Sequence, residues 1–242
     1  MTWIRDVLRT YWHARSPLRR KVPEMVAACE AREIGHWTSM TNLHAVALVC
    51  TLTKSPGSSS SQLLAEQVLE QLAEHECSGE VVRVVDEHIA FGVSADEGEG
   101  DGWPALREKV LAADIVVIAT PIWMGQPSSV CKMALERLDA ELSETDPEGR
   151  PSMFGKVAAM AVVGNEDGAH HVTAEVSQAL LDVGFSIPAQ AVTYWVGEAM
   201  GSTDYQDLDK TPEKTAGTTR TLAANAAHLA RMLRAANYPV PT

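Results

Sequence analysis

Ala45-Val46-Ala47-Leu48-Val49-Cys50, then Thr51-Leu52-Thr53-Lys54-Ser55-Pro56-Gly57-Ser58-Ser59-Ser60-Ser61, then Leu64, Val68 and Leu72 at four-residue spacing: this run decides the fold. The first six residues are wholly apolar, which predicts a strand too continuous for a sheet with one wet face. Ser59 and Gln62 have capping-box spacing, and the leucine–valine stripe behind them predicts a helix with one buried face. Strand, polar loop and helix form the unit from which the rest is built.

The unit recurs along the chain. Val81-Val82-Arg83-Val84-Val85 reads as a second strand, followed by an acidic, glycine-rich loop over 86–102 and a helix opening at Trp103-Pro104. Ile115-Val116-Val117-Ile118-Ala119 is the third strand, and Val130, Ala134 and Leu138 stripe the helix after it. A fourth strand spans 157–163, and its helix carries Val172, Val176, Ala179, Leu180 and Val183 and ends at Gly184. A weaker strand over 189–194, an irregular polar stretch over 197–213 and a last helix with Leu222, Ala226, Leu229 and Leu233 complete the pattern. Five strands alternating with helices predict a doubly wound α/β domain over 43–242, its parallel sheet covered on both faces.

Residues 1–42 differ from the rest. They hold seven basic and four acidic groups, against thirteen and twenty-eight in the remainder. Trp3, Ile4, Val7, Leu8, Tyr11 and Trp12 form a helical apolar stripe, so the segment reads as an amphipathic arm. Its apolar face calls for cover by its own core, by a partner subunit in a homodimer or homotetramer, or by a membrane surface.

The formal charge of -12 argues against nucleic acid as a partner, because a polyanion must be met by clustered Lys and Arg. No apolar run approaches membrane-spanning length, and Arg5, Arg9 and Arg15 stand where a signal peptide would be apolar, so a cytoplasmic location is expected. Cysteines 29, 50, 77 and 131 form no CxxC pair, and four reduced, mostly buried thiols are expected.

In a doubly wound sheet ligands collect where the strands end, at the switch in strand order. Seven of the eleven residues 51–61 carry hydroxyls, at the N-terminus of the first long helix. Free backbone N–H groups, the helix dipole and these hydroxyls suit a phosphate; the alternative is a soluble, well-capped loop. GxxxxGK[ST] and GxGxxG are both absent, so neither a nucleoside triphosphate nor a dinucleotide is supported on this turn. After the third strand, Thr120-Pro121-Ile122-Trp123-Met124-Gly125 places large apolar residues in an expected loop, where a planar ligand would bury them unless Trp123 folds onto the core.

After the fourth strand, Gly164-Asn165-Glu166-Asp167-Gly168-Ala169 offers glycines for close backbone approach to a ligand. Tyr194-Trp195 forms either an outer pocket wall or a core closure. His170-His171 lacks a partner at ligand spacing, so no metal is expected. Neither a nucleophile elbow nor a paired acid and base is evident, so no catalytic side chain is expected and the chemistry belongs to a bound cofactor.

At these residues the chain resembles the flavodoxin-like NAD(P)H-dependent FMN reductase family. Ser59-Ser60-Ser61 matches the family's Ser-Asn-Thr in position without its central Asn, 120–125 matches a Thr-Pro-x-aromatic-x-Gly segment, and Lys132 matches a helical Lys. The run 164–169 is similar to the family's third flavin loop, and the match extends over about 43–236. The resemblance implies strand order 2-1-3-4-5, FMN as cofactor and NAD(P)H as co-substrate. It places the phosphate at 53–61 (Thr53, Ser59, Ser60, Ser61), the ring edge at Pro121, Ile122, Trp123, Met124 and Gly125, and the outer edge at Asn165, Glu166, Asp167 and Gly168. Hydride would pass from nicotinamide to flavin and on to a flavin, quinone or similar aromatic acceptor. The competing readings are a flavodoxin-type electron carrier with a protein redox partner, and a flavin-free interaction module.

Overall fold

The computed structural model describes residues 42–241. The arm expected over 1–42 lies, apart from Asn42, outside the described residues, as does Cys29.

In chain order the elements are β1 (Leu43–Val49), α1 (Ser60–Ala73), β2 (Cys77–Arg83), α2 (Trp103–Ala112), β3 (Ile115–Trp123), β4 (Gln126–Pro127), α3 (Ser129–Leu138), β5 (Val157–Gly164), α4 (Ala169–Asp182), β6 (Val192–Val196) and α5 (Glu213–Ala235). The parallel sheet runs β2-β1-β3-β5-β6, which is the expected 2-1-3-4-5 order of the five long strands, and β4 adds an antiparallel two-residue pairing at the end of β3.

Successive strand residues face opposite sides of a sheet, so continuous apolar runs feed two cores at once. Val46, Leu48, Val116, Ile118 and Met160 pack against α2, α3 and α4 through Leu106, Ala134 and Val176. Ala45, Ala47, Val117 and Ala159 pack against α1 and α5 through Leu64, Val68, Leu222 and Ala226. Small residues on that face let the two helices lie close, and each fully buried Val or Leu contributes about 1.5–3 kcal/mol.

Three local expectations are corrected. The second strand starts at Cys77, four residues before the apolar run, and Val84–Asp86 forms a 3-10 turn instead of its end. As an edge strand paired only with β1, β2 tolerates Ser78 and Glu80, and Lys109 meets Glu80 from α2. The third strand runs on to Trp123, so Pro121, Ile122 and Trp123 are strand, not loop. Ile122 is buried in the core while Trp123 is half exposed. The last strand lies at Val192–Val196, a few residues later than expected. At α1 the capping box is half formed: Ser59 Oγ accepts the N–H of Gln62, but the Gln62 side chain turns toward Arg83 and Glu66.

Cys50, Cys77 and Cys131 are free, buried thiols. No helix among the described residues is long and apolar enough to cross a membrane.

Candidate flavin site

One cavity of about 500 Å³ opens at the carboxyl ends of β1, β3, β5 and β6. Its floor is the loop from β1 into α1, contributing Thr51, Thr53 and residues 58–61. Ser59 is extended (φ -153°) and caps α1, accepting from Gln62 N at 3.3 Å, so the first N–H groups of the helix open toward this floor. Ser60 Oγ accepts the backbone N–H of Gln206 at 3.3 Å, tying the floor to the loop after β6.

One wall is the β3–β4 hairpin, with Pro121, Ile122, Trp123 and Met124 in the lining. Met124 (φ 52°) and Gly125 (φ 74°) are both left-handed, the geometry of a two-residue type I′ turn. Behind the hairpin, Ser128 Oγ donates to Cys50 O at 2.5 Å and accepts from Cys131 N at 3.0 Å, fixing α3 onto β1. Thr120 Oγ1 accepts from Ser128 N at 3.1 Å and sets where the chain turns back.

The facing wall comes from Val163, Gly164, Asn165 and Glu166 at the end of β5. Glu166 bridges the two walls, its carboxylate accepting from Met124 N (2.9 Å) and Gly125 N (3.2 Å). Gly168 has φ 134°, and a Cβ there would fall 2.7 Å from Gly125 Cα, so the hairpin tip and the β5–α4 loop meet backbone to backbone. The close approach that this glycine permits in the structure is to Gly125. Gly125, Asp167 and Gly168 stand outside the cavity lining, while the other expected site residues are brought together in it.

Trp195, Met200, Asp204, Tyr205 and Gln206 complete the enclosure. Of the pair Tyr194-Trp195, Trp195 lines the cavity and also packs against the core, so it serves both expected roles, while Tyr194 stands outside the lining. The other four come from the irregular stretch after β6, where polar residues without periodicity gave no signal beyond their position at a strand end. Tyr205 packs on Trp195 at 5.5 Å between ring centroids and donates its hydroxyl to Gln67 Oε1 at 2.6 Å. Burial pushes its phenol up, which keeps it neutral. Asn165 Nδ2 donates to Asp204 Oδ1 at 2.8 Å, closing this loop onto β5.

Among the described residues the lining contains no Lys or Arg, and its charged residues are Glu166 and Asp204. Lys132 lies on the exposed face of α3 beside Glu136, and His171 pairs with Glu175 outside the cavity. Three buried side-chain polar atoms among the described residues lack a partner, and two of them, Asn165 Oδ1 and Gln206 Oε1, belong to residues of this lining. Both oxygens are enclosed by protein, Asn165 Oδ1 against Gly197, so they do not face an occupant of the cavity. A ligand with a phosphate and a planar ring fits the hydroxyl floor and the apolar walls.

Fold and site together define a flavodoxin-like α/β protein with its cavity at the switch in strand order. A family model described as NADPH-dependent FMN reductase matches residues 43–200, and the chain belongs to that family. Membership implies FMN as cofactor and NAD(P)H as co-substrate. The chain is 34% identical over 206 residues to 8-demethyl-8-aminoriboflavin-5'-phosphate synthase of Streptomyces davaonensis, covering 81% of this chain and 80% of that protein. The crystal structure of RosB with bound 8-demethyl-8-formylriboflavin-5'-phosphate is similar with a TM-score of 0.70 at 34% identity, covering 81% of this chain and 82% of that one. A protein of Mycobacterium bovis named divalent metal cation transporter MntH is 37% identical over 207 residues; the match takes in 83% of this chain but spans only 30% of that relative's length.

Proposed function

We propose that the chain is an NAD(P)H-dependent flavin oxidoreductase that holds FMN in the cavity and passes electrons to a second flavin, a quinone or a similar aromatic acceptor. The observation that carries this reading is the convergence of a hydroxyl-rich helix N-terminus and an apolar hairpin on one cavity whose described lining holds no basic side chain. When bound, the isoalloxazine ring supplies hydride acceptance and electron release. The chain's own part is to bind and orient. Ser59, Ser60, Ser61 and Thr53, with the first N–H groups of α1, receive the phosphate. Trp123, Met124 and Trp195 flank the ring. Half-exposed Trp123 and exposed Met124 leave an apolar rim on which a second planar molecule can stack.

A second reading is favoured by the likeness to the riboflavin-phosphate synthase and to RosB with its bound flavin phosphate. In it the same loops hold the flavin phosphate as the molecule being altered. Both readings share the phosphate floor and differ in the fate of the flavin.

The test uses the full chain loaded with FMN. A yellow protein that bleaches anaerobically with NADPH, recovers on adding an acceptor and releases unaltered FMN supports the oxidoreductase. Recovery of a flavin of changed mass supports the second reading. A yellow protein indifferent to both nicotinamides is an electron carrier, and a colourless protein that refuses FMN removes the flavin assignment. The expectation that residues 1–42 mediate a homodimer or homotetramer is checked by sedimentation of the chain with and without them.

A further inference from the structure

A phosphate monoester carries close to two negative charges at neutral pH, yet among the described residues no basic side chain lines the cavity. The buried cation nearest the floor lies behind it. Arg83, the last residue of β2, is 8% exposed. Its Nη1 donates to the carbonyl oxygens of Thr53 (3.1 Å) and Gly57 (2.7 Å), the two ends of the turn over 53–57. Its Nε and Nη2 both donate to Gln62 Oε1, the former at 3.0 Å, and Gln62 N in turn donates to the capping Ser59. One guanidinium thus grips the loop at two points and the first turn of α1 at a third.

The consequence follows from peptide geometry. In a trans peptide the C=O and the next N–H point in opposite directions. Holding Gly57 O on Arg83 therefore turns the N–H of Ser58, a lining residue, away from β2. Three residues on, in the 3-10 turn after β2, Asp86 takes the N–H of Ser55 (3.1 and 3.3 Å). The end of β2 thereby absorbs the outward polar groups of the loop. The partly exposed Asp86 carboxylate offsets some of the Arg83 charge, so direction of the N–H groups carries more of the effect than the net field does.

We propose that Arg83 is a positioning residue that makes the site select phosphorylated over unphosphorylated flavin, by holding the carbonyls of Thr53 and Gly57 and so aiming loop N–H groups at the phosphate. The proposal rests on the reading of the β1–α1 loop as the phosphate end. Lysine cannot replace the arrangement, because its single ammonium cannot span two carbonyls and an amide in a fixed fork.

The experiment measures FMN and riboflavin affinities by fluorescence quenching for the native chain, Arg83→Lys, Arg83→Met and Gln62→Met. The native chain is expected to favour FMN. Arg83→Lys is expected to cut that preference by about tenfold or more, the scale of one hydrogen bond to a charged group, with riboflavin affinity nearly constant. Gln62→Met, which removes one anchor of the guanidinium and leaves the charge, should cut it less. If Arg83→Met does not fold, the other two variants decide. Preference unchanged in the variants that fold, or both ligands weakened equally, overturns the proposal and leaves Arg83 a purely structural brace. A native chain that binds riboflavin as tightly as FMN overturns the phosphate reading itself.

Discussion

Glu166 Oε1 lies 2.9 Å from the backbone nitrogen of Met124, a residue 42 positions earlier that carries φ 52° and is almost fully exposed. A type I′ turn asks for left-handed backbone at both central positions, which Asn or Gly adopts readily and Met does not. Such a conformation costs on the order of 1–3 kcal/mol and persists only where the surroundings over-determine it. Here the second carboxylate oxygen holds Gly125 N as well, so one side chain pins the whole hairpin tip.

Glu166→Ala is therefore expected to free the tip and weaken FMN binding by about 1–3 kcal/mol, the range for hydrogen bonds to a charged group. Fluorescence titration checks this. Tighter binding in the variant would show instead that the carboxylate competes with the ligand for the two N–H groups.

Gly168→Ala tests the same junction from the other side. The added Cβ meets Gly125 Cα at 2.7 Å, and φ 134° is unfavourable for any L side chain. The hairpin or the β5–α4 loop must move. The expected result is a fall of about 1–3 kcal/mol in stability together with weaker FMN binding. Thermal melts with and without FMN separate the two effects, and an unchanged ligand-induced shift in Tm would show that the junction does not shape the cavity.

The strands and the loops that build the cavity are legible because continuous apolar runs mark buried parallel strands and their ends mark the switch side, whereas the strand order is legible only through the resemblance carried by 59–61, 120–125 and 164–169. The first half of β2 is not legible. An edge strand needs only backbone pairing on one side, so Cys77-Ser78-Gly79-Glu80 carries no apolar signature. Trp123 has the sequence signature of a loop because a strand that runs past the sheet to pair with two residues of β4 looks like an exposed apolar turn. The pairings that give the site its shape join distant residues: Glu166 with Met124, Arg83 with Gly57, Ser60 with Gln206. Local spacing holds no trace of them, and the Met200, Asp204 and Gln206 side of the cavity was missed for the same reason.

The acidic loop over 86–102 is held by a buried pair. Arg137 Nη2 donates to Asp101 Oδ2 at 2.7 Å, with side chains 0% and 1% exposed, and Arg137 also binds Ala90 O and Ser94 O. Burial pushes the Asp101 carboxyl up, but Arg137 and the N–H groups of Glu97, Trp103 and Ala90 outweigh it and hold the group well below the usual carboxylate range. A depressed folded-state pKa gives stability that is complete above the unfolded value of 3.8 and is lost as pH falls through the folded value. Stability should hold down to about pH 4 and then decline, with a shallower acid limb in Asp101→Asn. Arg137→Met strands the carboxylate and should cost about 3–5 kcal/mol. Urea melts across the acid range check all three statements.

The phosphate floor makes a sharper demand, because Ser59 and Ser60 stand side by side but are anchored differently. Ser59 Oγ accepts from Gln62 N as the cap of α1, and its own hydroxyl proton remains free to donate to an anion. Ser59→Ala thus loses a cap, worth about 1 kcal/mol of stability, together with a phosphate donor. Ser60 Oγ accepts from Gln206 N, so Ser60→Ala loosens the loop after β6 while leaving the cap of α1 intact. Ser59→Ala should lower both Tm and FMN affinity, whereas Ser60→Ala should lower FMN affinity with a smaller change in Tm. The double variant should lose about 1–3 kcal/mol of FMN binding while riboflavin, lacking the phosphate, binds nearly as before. Equal losses for the two ligands would place the phosphate elsewhere than on this loop.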